Sequence, residues 1–204
     1  MTFQYPSLPH QRLHGPRGYR HYESYKPWLR DEFLFRCVYC LCRERWFPDG
    51  DDHFSVDHLR SQRLAPEQVT DYDNLAYACC QCNAAKQDCE WLLNPCDEAL
   101  ANHLEVLEDG TIRGLTSEGK VWIQVCRLDR PKLTAFRKGL LALLRNLTTR
   151  QTPEVANLLR HCLGFPDNLP RLAVLRPPGG NVRPEGIVKS VFEQQGQGEL
   201  AETY

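Results

Sequence analysis

Hydrophobic and polar positions along this chain change period several times, and each change marks an element. Trp28, Leu29, Phe33 and Leu34 recur at helical spacing with Pro27 near the first turn, which predicts a short helix over 27–36. Trp46 to Asp52 is turn-like, and Phe54-Ser-Val-Asp-His58 alternates, predicting a strand. Leu59 to Tyr72 reads as a loop with one helical turn after Pro66, and Asn74 to Ala78 as a short extended segment. Helix formers follow from Cys79 through Lys86 to Leu93, stopped by Asn94-Pro95. His103–Glu108 and Thr111–Leu115 flank Asp109-Gly110, a strong hairpin signal, and the alternation of Lys120–Cys126 adds a third strand. Asp129 reads as an N-cap with Pro131 in the first turn, opening a helix that puts Leu133, Phe136, Leu140, Leu144 and Leu147 on one face. A second helix runs from Thr152-Pro153 to Gly164 and buries Val155, Leu158, Leu159 and Cys162.

These elements divide the 204 residues into four parts. Residues 1–26, rich in Pro, His, Tyr and Arg and without periodicity, form a basic arm that orders only against something else. Residues 27–94 are the core, 95–165 a hairpin-and-helix accessory region, and 166–204 a Pro/Gly-punctuated polar tail expected to be mobile. The composition, 42% hydrophobic and 25% charged, is that of a globular protein. No apolar run reaches the roughly 20 residues of a membrane span, and Met1-Thr-Phe-Gln-Tyr-Pro lacks the pattern of a secretory signal, so a cytoplasmic location is expected. The net charge of −1 hides segregation: residues 87–118 set eight carboxylates against Arg113 alone, while 127–176 carry ten Lys or Arg against Asp129, Glu154 and Asp167. Solvated helix faces explain such blocks, and so do a basic surface for nucleic acid and an acidic one for a protein.

Ten cysteines in that compartment point to thiols or metal ligands rather than disulfides. Cys37-x-x-Cys40 and Cys79-x-x-Cys82 are two knuckles that together supply four thiolates, enough to close a tetrahedral structural zinc site. Cys42 and Cys80 are alternative ligands for Cys40 and Cys79. The wide separation requires a folded insert between the knuckles, and that insert holds Asp57-His58 at the end of a predicted strand. Neighbours on a strand face opposite ways, so the two side chains have different tasks. The carboxylate is a hard ligand suited to magnesium or manganese, and a neutral imidazole accepts a proton near pH 7.

Cys37/Cys40, Val56-Asp57-His58, Asp73-Asn74-Leu75 and Cys79-x-x-Cys82-Asn83-x-x-Lys86 stand in the order that resembles the HNH nuclease family. The resemblance spans about fifty residues and implies an α+β fold: a β-β-α metal finger stapled by the four-cysteine zinc site, with a C-terminal hairpin-plus-helices extension. It implies a metal-dependent DNA endonuclease using one catalytic metal. In that reading His58 is the general base, Asp57 and Asn83 hold Mg²⁺ or Mn²⁺ against the phosphate, and Asn74 bonds to backbone near His58 and orients the imidazole. The last motif position, often histidine in the family, is asparagine here, a neutral oxygen ligand that suits magnesium. Lys86, on the helix after Asn83, reaches a phosphate oxygen in the same reading. Arg43, Arg45, Arg60 and Arg63 lie near the finger in sequence and are further candidates for backbone phosphates. Trp46 is weighed between base stacking and core packing, and packing is the commoner case.

A second, looser resemblance covers residues 95–137. His103-Leu-Glu-x-x-x-Asp109-Gly110-x-Ile112, Thr116-x-x-Gly119 and Leu128-Asp-Arg130-Pro131-x-Leu133-x-x-x-Arg137 are similar to the region after the finger in small standalone bacterial HNH proteins. Some of those act in anti-phage defence beside an ATPase, which makes an ATPase a candidate partner here. The alternative to a nuclease is a non-catalytic zinc module that binds nucleic acid or protein. RNA as substrate, nicking against double-strand cutting, and a homodimer are all left open by the sequence.

Overall fold

The computed structural model describes residues 2–89, 93–149, 152–182 and 188–204. Helix α1 (Lys26–Glu32) starts with Pro27 in its first turn and buries Trp28 and Leu29. It is shorter than the predicted 27–36 because Leu34 and Phe35 turn left-handed, with φ of 51° and 57°. Such backbone is costly for non-glycine residues. Here Phe35 is fully buried in a small satellite cluster with Leu169 and Val191, which offsets that cost.

Strands β1 (Phe54–His58) and β2 (Leu75–Cys79) pair antiparallel, Phe54 opposite Cys79 and His58 opposite Leu75. Helix α2 (Cys80–Lys86) follows β2 directly and ends where Gln87 takes a φ of 49°. The predicted continuation toward Leu93 includes residues 90–92, which lie outside the described residues. A buried ion pair fixes α1 to this unit. Arg30 donates through Nε (2.9 Å) and its guanidinium (2.8 Å) to Glu44, which also accepts from the Tyr77 hydroxyl at 2.6 Å. Phe54 stacks on Tyr77 beside it, ring centroids 5.0 Å apart.

The accessory region begins with the hairpin β3 (Leu104–Val106) and β4 (Ile112–Gly114) around Asp109-Gly110, as the turn signal predicts. Gly110 has a φ of 85°, and a Cβ there would lie 2.5 Å from the Lys138 backbone, so the hairpin tip sits on the later helix that contains Lys138. The predicted third strand over 120–126 is instead helix α3 (Ser117–Val125). Gly119, Trp122, Ile123 and Cys126 recur at helical spacing on one face, which a strand would split between two, and Thr116 accepts from the Gly119 amide as the N-cap. A Cβ on Gly119 would come 2.0 Å from the His103 carbonyl oxygen, so glycine permits the helix to touch the hairpin.

Helix α4 (Pro131–Thr148) starts one residue later than the Asp129 cap predicts: Arg130 holds the N-cap position and Pro131 is the first helical residue. Leu133, Leu144 and Leu147 are buried as expected, but Phe136 is 39% exposed and the fully buried Arg137 takes part of the inner face. Helix α5 (Pro153–Leu163) has its Thr152 cap, yet none of its residues is buried, and Leu158 is 40% exposed. It lies on the surface, held by half-buried Trp46, which donates to the Cys162 carbonyl at 2.7 Å.

Residues 2–26 find their order against the core itself. Phe3, Tyr5 and Tyr25 are buried, and Glu32 accepts from the Leu13 and His14 amides, from Tyr72 and from His10. Segments of the tail expected to be mobile are also docked. Asn181 bridges to Pro16, Val191 donates to Asp31, and the Tyr204 ring covers the Arg43 guanidinium. Among the described residues no helix is long and apolar enough to cross a membrane. A final short helix, α6 (Val191–Gly196), carries a Ser190–Glu193 capping box.

Candidate active site and thiolate cluster

The two knuckles converge. The Sγ atoms of Cys37, Cys40, Cys79 and Cys82 lie within 4.8 Å of one another, and all four residues are buried. The first knuckle is a tight loop: the Cys37 amide donates to the Cys42 carbonyl, the Leu41 amide to the Cys37 carbonyl, and Leu41 turns with a φ of 62°. The second is the end of β2 and the first turn of α2. The Val38 amide joins the knuckles by donating to the Tyr77 carbonyl at 3.0 Å. Cys80 is exposed and Cys42 is outside the cluster, so neither alternative ligand is brought in.

The donor set fits zinc. Zinc–thiolate bonds of about 2.3 Å make the edges of a tetrahedron about 3.8 Å. The Cys40–Cys79 sulfur separation is 3.8 Å. The thiols also compete for ionisation. Hydrogen bonds from Cys37, Cys42, Cys79 and Cys82 hold Cys40 well below the ordinary thiol range, while burial and hydrogen bonds with Cys40, Cys79 and Cys82 push Cys37 well above it. A divalent cation removes that conflict by taking all four as thiolates.

His58 ends β1, buried, with its ring against the edge of Tyr22 at a centroid distance of 4.7 Å. Its Nε2 lies 2.9 Å from the Val69 carbonyl oxygen. A carbonyl only accepts, so Nε2 carries the proton and Nδ1 presents the lone pair. The Gln62 side-chain amide donates to Nδ1 at 3.3 Å. Asn74 holds the loop that brings Val69 there. Its Oδ1 accepts from the Arg60 amide at 2.8 Å, and its Nδ2 donates to the Arg60 and Gln68 carbonyls at 3.0 and 3.3 Å. The sequence singled out Asn74, but the Val69 carbonyl carries no side-chain signal and could not be read from it.

Asp57 points to the other side of the strand pair, toward α2. Its Oδ2 accepts from the Tyr39 hydroxyl and its Oδ1 pairs with the Lys86 ammonium at 3.2 Å. Burial pushes the Asp57 carboxyl above its usual range, with Lys86 and Tyr39 pulling the other way. Lys86 is itself buried and also donates to the His58 carbonyl at 2.6 Å, so it is an interior counter-charge and not a surface cation. Asn83 is half-buried on α2; its Nδ2 donates to the Ser55 hydroxyl at 2.9 Å and more distantly to the Val56 carbonyl. Its amide oxygen has no hydrogen-bond partner among the described residues. A cleft of about 300 Å³ lined by Tyr39, Arg60, Asp71, Asp73, Asn74 and Lys86 opens beside the Asp57–Lys86 pair.

The predicted phosphate-contacting arginines separate. Arg43 is buried, donating to the Leu163 and Tyr204 carbonyls, and burial brings its pKa down to about 10, so it braces the tail and does not face solvent. Arg45 pairs with Asp167 and Arg63 with Asp88 near the surface, while Arg60 is exposed on the rim of the cleft. Trp46 packs and donates inward, the commoner of its two readings.

Residues 37–88 match the family model of HNH endonucleases, and this part of the chain is an HNH endonuclease domain of mixed helix and strand. Among curated proteins, the Septu protein PtuB of Bacillus thuringiensis is 24% identical over 125 residues, which cover 59% of this chain and 47% of that protein. The match therefore spans about half the length of that relative.

Proposed function

We propose that the HNH domain hydrolyses DNA phosphodiester bonds, with His58 as general base and one Mg²⁺ or Mn²⁺ held by Asp57 and Asn83 in a β-β-α metal finger. The observation that carries this reading is the tautomer of His58: the Val69 carbonyl holds the proton on Nε2, which leaves Nδ1 free to take one from water. In the working state water replaces Gln62 at Nδ1. The Asn83 oxygen is uncommitted, which supports the metal reading. A hard divalent cation at the Asp57 carboxylate would stabilise charge on the phosphate and the leaving oxygen. It would have to displace Lys86 from Asp57, and the adjoining cleft would give the ammonium room. The thiolate cluster, loaded with zinc, staples the loops of so small a core.

Similarity to a Septu protein and the resemblance of residues 95–137 to defence-associated HNH proteins support the larger proposal. In it the chain is the nuclease component of an anti-phage system, acting beside an ATPase in the cytoplasm. Because both Asp57 oxygens are engaged, a non-catalytic zinc module is the second reading. Supercoiled plasmid and RNA incubated with the purified chain, in magnesium, manganese or chelator, separate the two. Metal-dependent nicking that His58→Ala abolishes, with fold and zinc content unchanged, is expected. Nicking by that variant at the wild-type rate would remove His58 from the mechanism. Nucleic-acid binding without cleavage in any metal would favour the module.

A further inference from the structure

Two arginines of the accessory region remain outside the roles assigned above: Arg130, the N-cap of α4, and Arg137, about two turns into the helix. Both belong to the Leu128–Arg137 motif that the nuclease reading leaves unexplained. Arg130, half-buried at the N-cap, directs both terminal nitrogens at the Cys82 sulfur, at 3.8 and 3.9 Å. The carbonyls of Cys126 and Arg127 hold its guanidinium in place. Arg137 is fully buried and donates to the Leu128 carbonyl at 2.8 Å, while its Nε and one terminal nitrogen have no hydrogen-bond partner. Neither arginine forms an ion pair with a carboxylate among the described residues. Arg137 instead lies over the Phe3 ring, 5.9 Å from its centroid.

A buried guanidinium without a carboxylate is unfavourable unless another anion compensates it. Four thiolates around one Zn²⁺ carry a net charge of −2, and the Arg130 guanidinium at Cys82 offsets part of it. We infer that Arg130 is a counter-charge of the tetrathiolate zinc centre, so that the start of the accessory helix α4 completes a metal site whose ligands all lie in the HNH domain. Arg130 is a positioning residue that holds the Cys82 thiolate by charge-assisted hydrogen bonds. Coupling of this kind is reciprocal, so zinc binding also anchors the start of α4.

The inference rests on the zinc reading, and the experiment keeps the two apart. Zinc content and zinc affinity, the latter by competition with a chromophoric chelator, are measured on the full chain. The variants are Arg130→Met, Arg130→Lys and Leu144→Ala, the last loosening α4 two turns beyond Arg137. One zinc per wild-type chain is expected, with affinity lowered about tenfold or more in Arg130→Met, the range typical of groups that support metal ligands. Arg130→Lys should recover most of it and Leu144→Ala should bind as wild type. Arg130→Met binding zinc as tightly as wild type overturns the inference and leaves the zinc reading standing. An equal loss in Leu144→Ala also overturns it, because helix packing and not charge would then be responsible. A wild-type chain without zinc defeats the zinc reading itself and this inference with it.

Discussion

Asn74→Ala isolates the device that orients His58. The substitution removes three hydrogen bonds, from the Arg60 amide and to the Arg60 and Gln68 carbonyls, from a residue that is 6% exposed. At about 1 kcal/mol net for each, the loop from Leu59 to Val69 loses about 3 kcal/mol of anchorage. The Val69 carbonyl is the far end of that loop, so His58 Nε2 loses its fixed acceptor and the ring samples other orientations. If the whole loss appears as misorientation, turnover falls about a hundredfold, since 1.4 kcal/mol is a factor of ten. The assay is plasmid nicking across pH in magnesium, with zinc content and thermal midpoint followed on the same samples. Nicking should drop about a hundredfold while the four-cysteine cluster keeps its metal, because the loop contributes none of those ligands. Asn74→Asp tests the same point more sharply. It keeps the acceptor for the Arg60 amide but sets a carboxylate against two carbonyls, so it should be no better than alanine. Wild-type nicking by Asn74→Ala, with an unchanged pH profile, would refute the link from Asn74 through Val69 to the imidazole.

Two further outcomes follow from buried charges. Lys86→Met leaves the Asp57 carboxylate buried without its counter-charge, a change that typically costs about 3–5 kcal/mol; the thermal midpoint in chelator should fall accordingly and rise again with added Mg²⁺, and a midpoint indifferent to Mg²⁺ would remove Asp57 as a metal ligand. Burial raises Glu32, but the hydrogen bond from His10, with Arg12 and the Leu13 amide, outweighs it and holds the carboxyl below its ordinary 4.5. A depressed folded value stabilises above the unfolded one and is lost as pH falls through the folded one. Docking of residues 1–26 should therefore loosen on acidification below about 4.5, read as new protease cleavage near His10 to His14, and Glu32→Gln should flatten that dependence.

The parts of this molecule that were legible in the sequence are those with local causes. Alternation and turn residues gave β1, the Asp109-Gly110 hairpin and the Thr152 cap, and the Cys-x-x-Cys spacings named the sulfurs that converge. Lys120–Cys126 failed for a local reason too: a short run in which Trp122, Ile123 and Cys126 also share a helical face with Gly119 just before it is ambiguous, and contact with the hairpin decides it. What could not be read depends on long-range partners. Arg43 resembles any phosphate-binding arginine until Leu163 and Tyr204, more than a hundred residues later, close over it. Lys86 looks like a surface cation because α2 is short, yet its side chain passes inward to Asp57.

The same long-range logic bears on why an HNH domain of about fifty residues is embedded in a chain of 204. A core that small needs a metal or a companion to hold its loops, and this chain brings a four-cysteine cluster and a companion to one strand pair. The thiolate cluster joins the start of the domain to the β2–α2 junction, while Arg30, Asp31 and Glu32 on α1 bind segments from both ends of the sequence. Tyr22, outside the domain, packs against the His58 ring, and Glu32 holds the preceding residues 10–14, so the surroundings of the imidazole depend on an arm outside the domain. Whatever moves that arm would move Tyr22 off the imidazole. A partner protein that engaged residues 1–26 would thereby control the proposed base without touching any residue of the HNH domain.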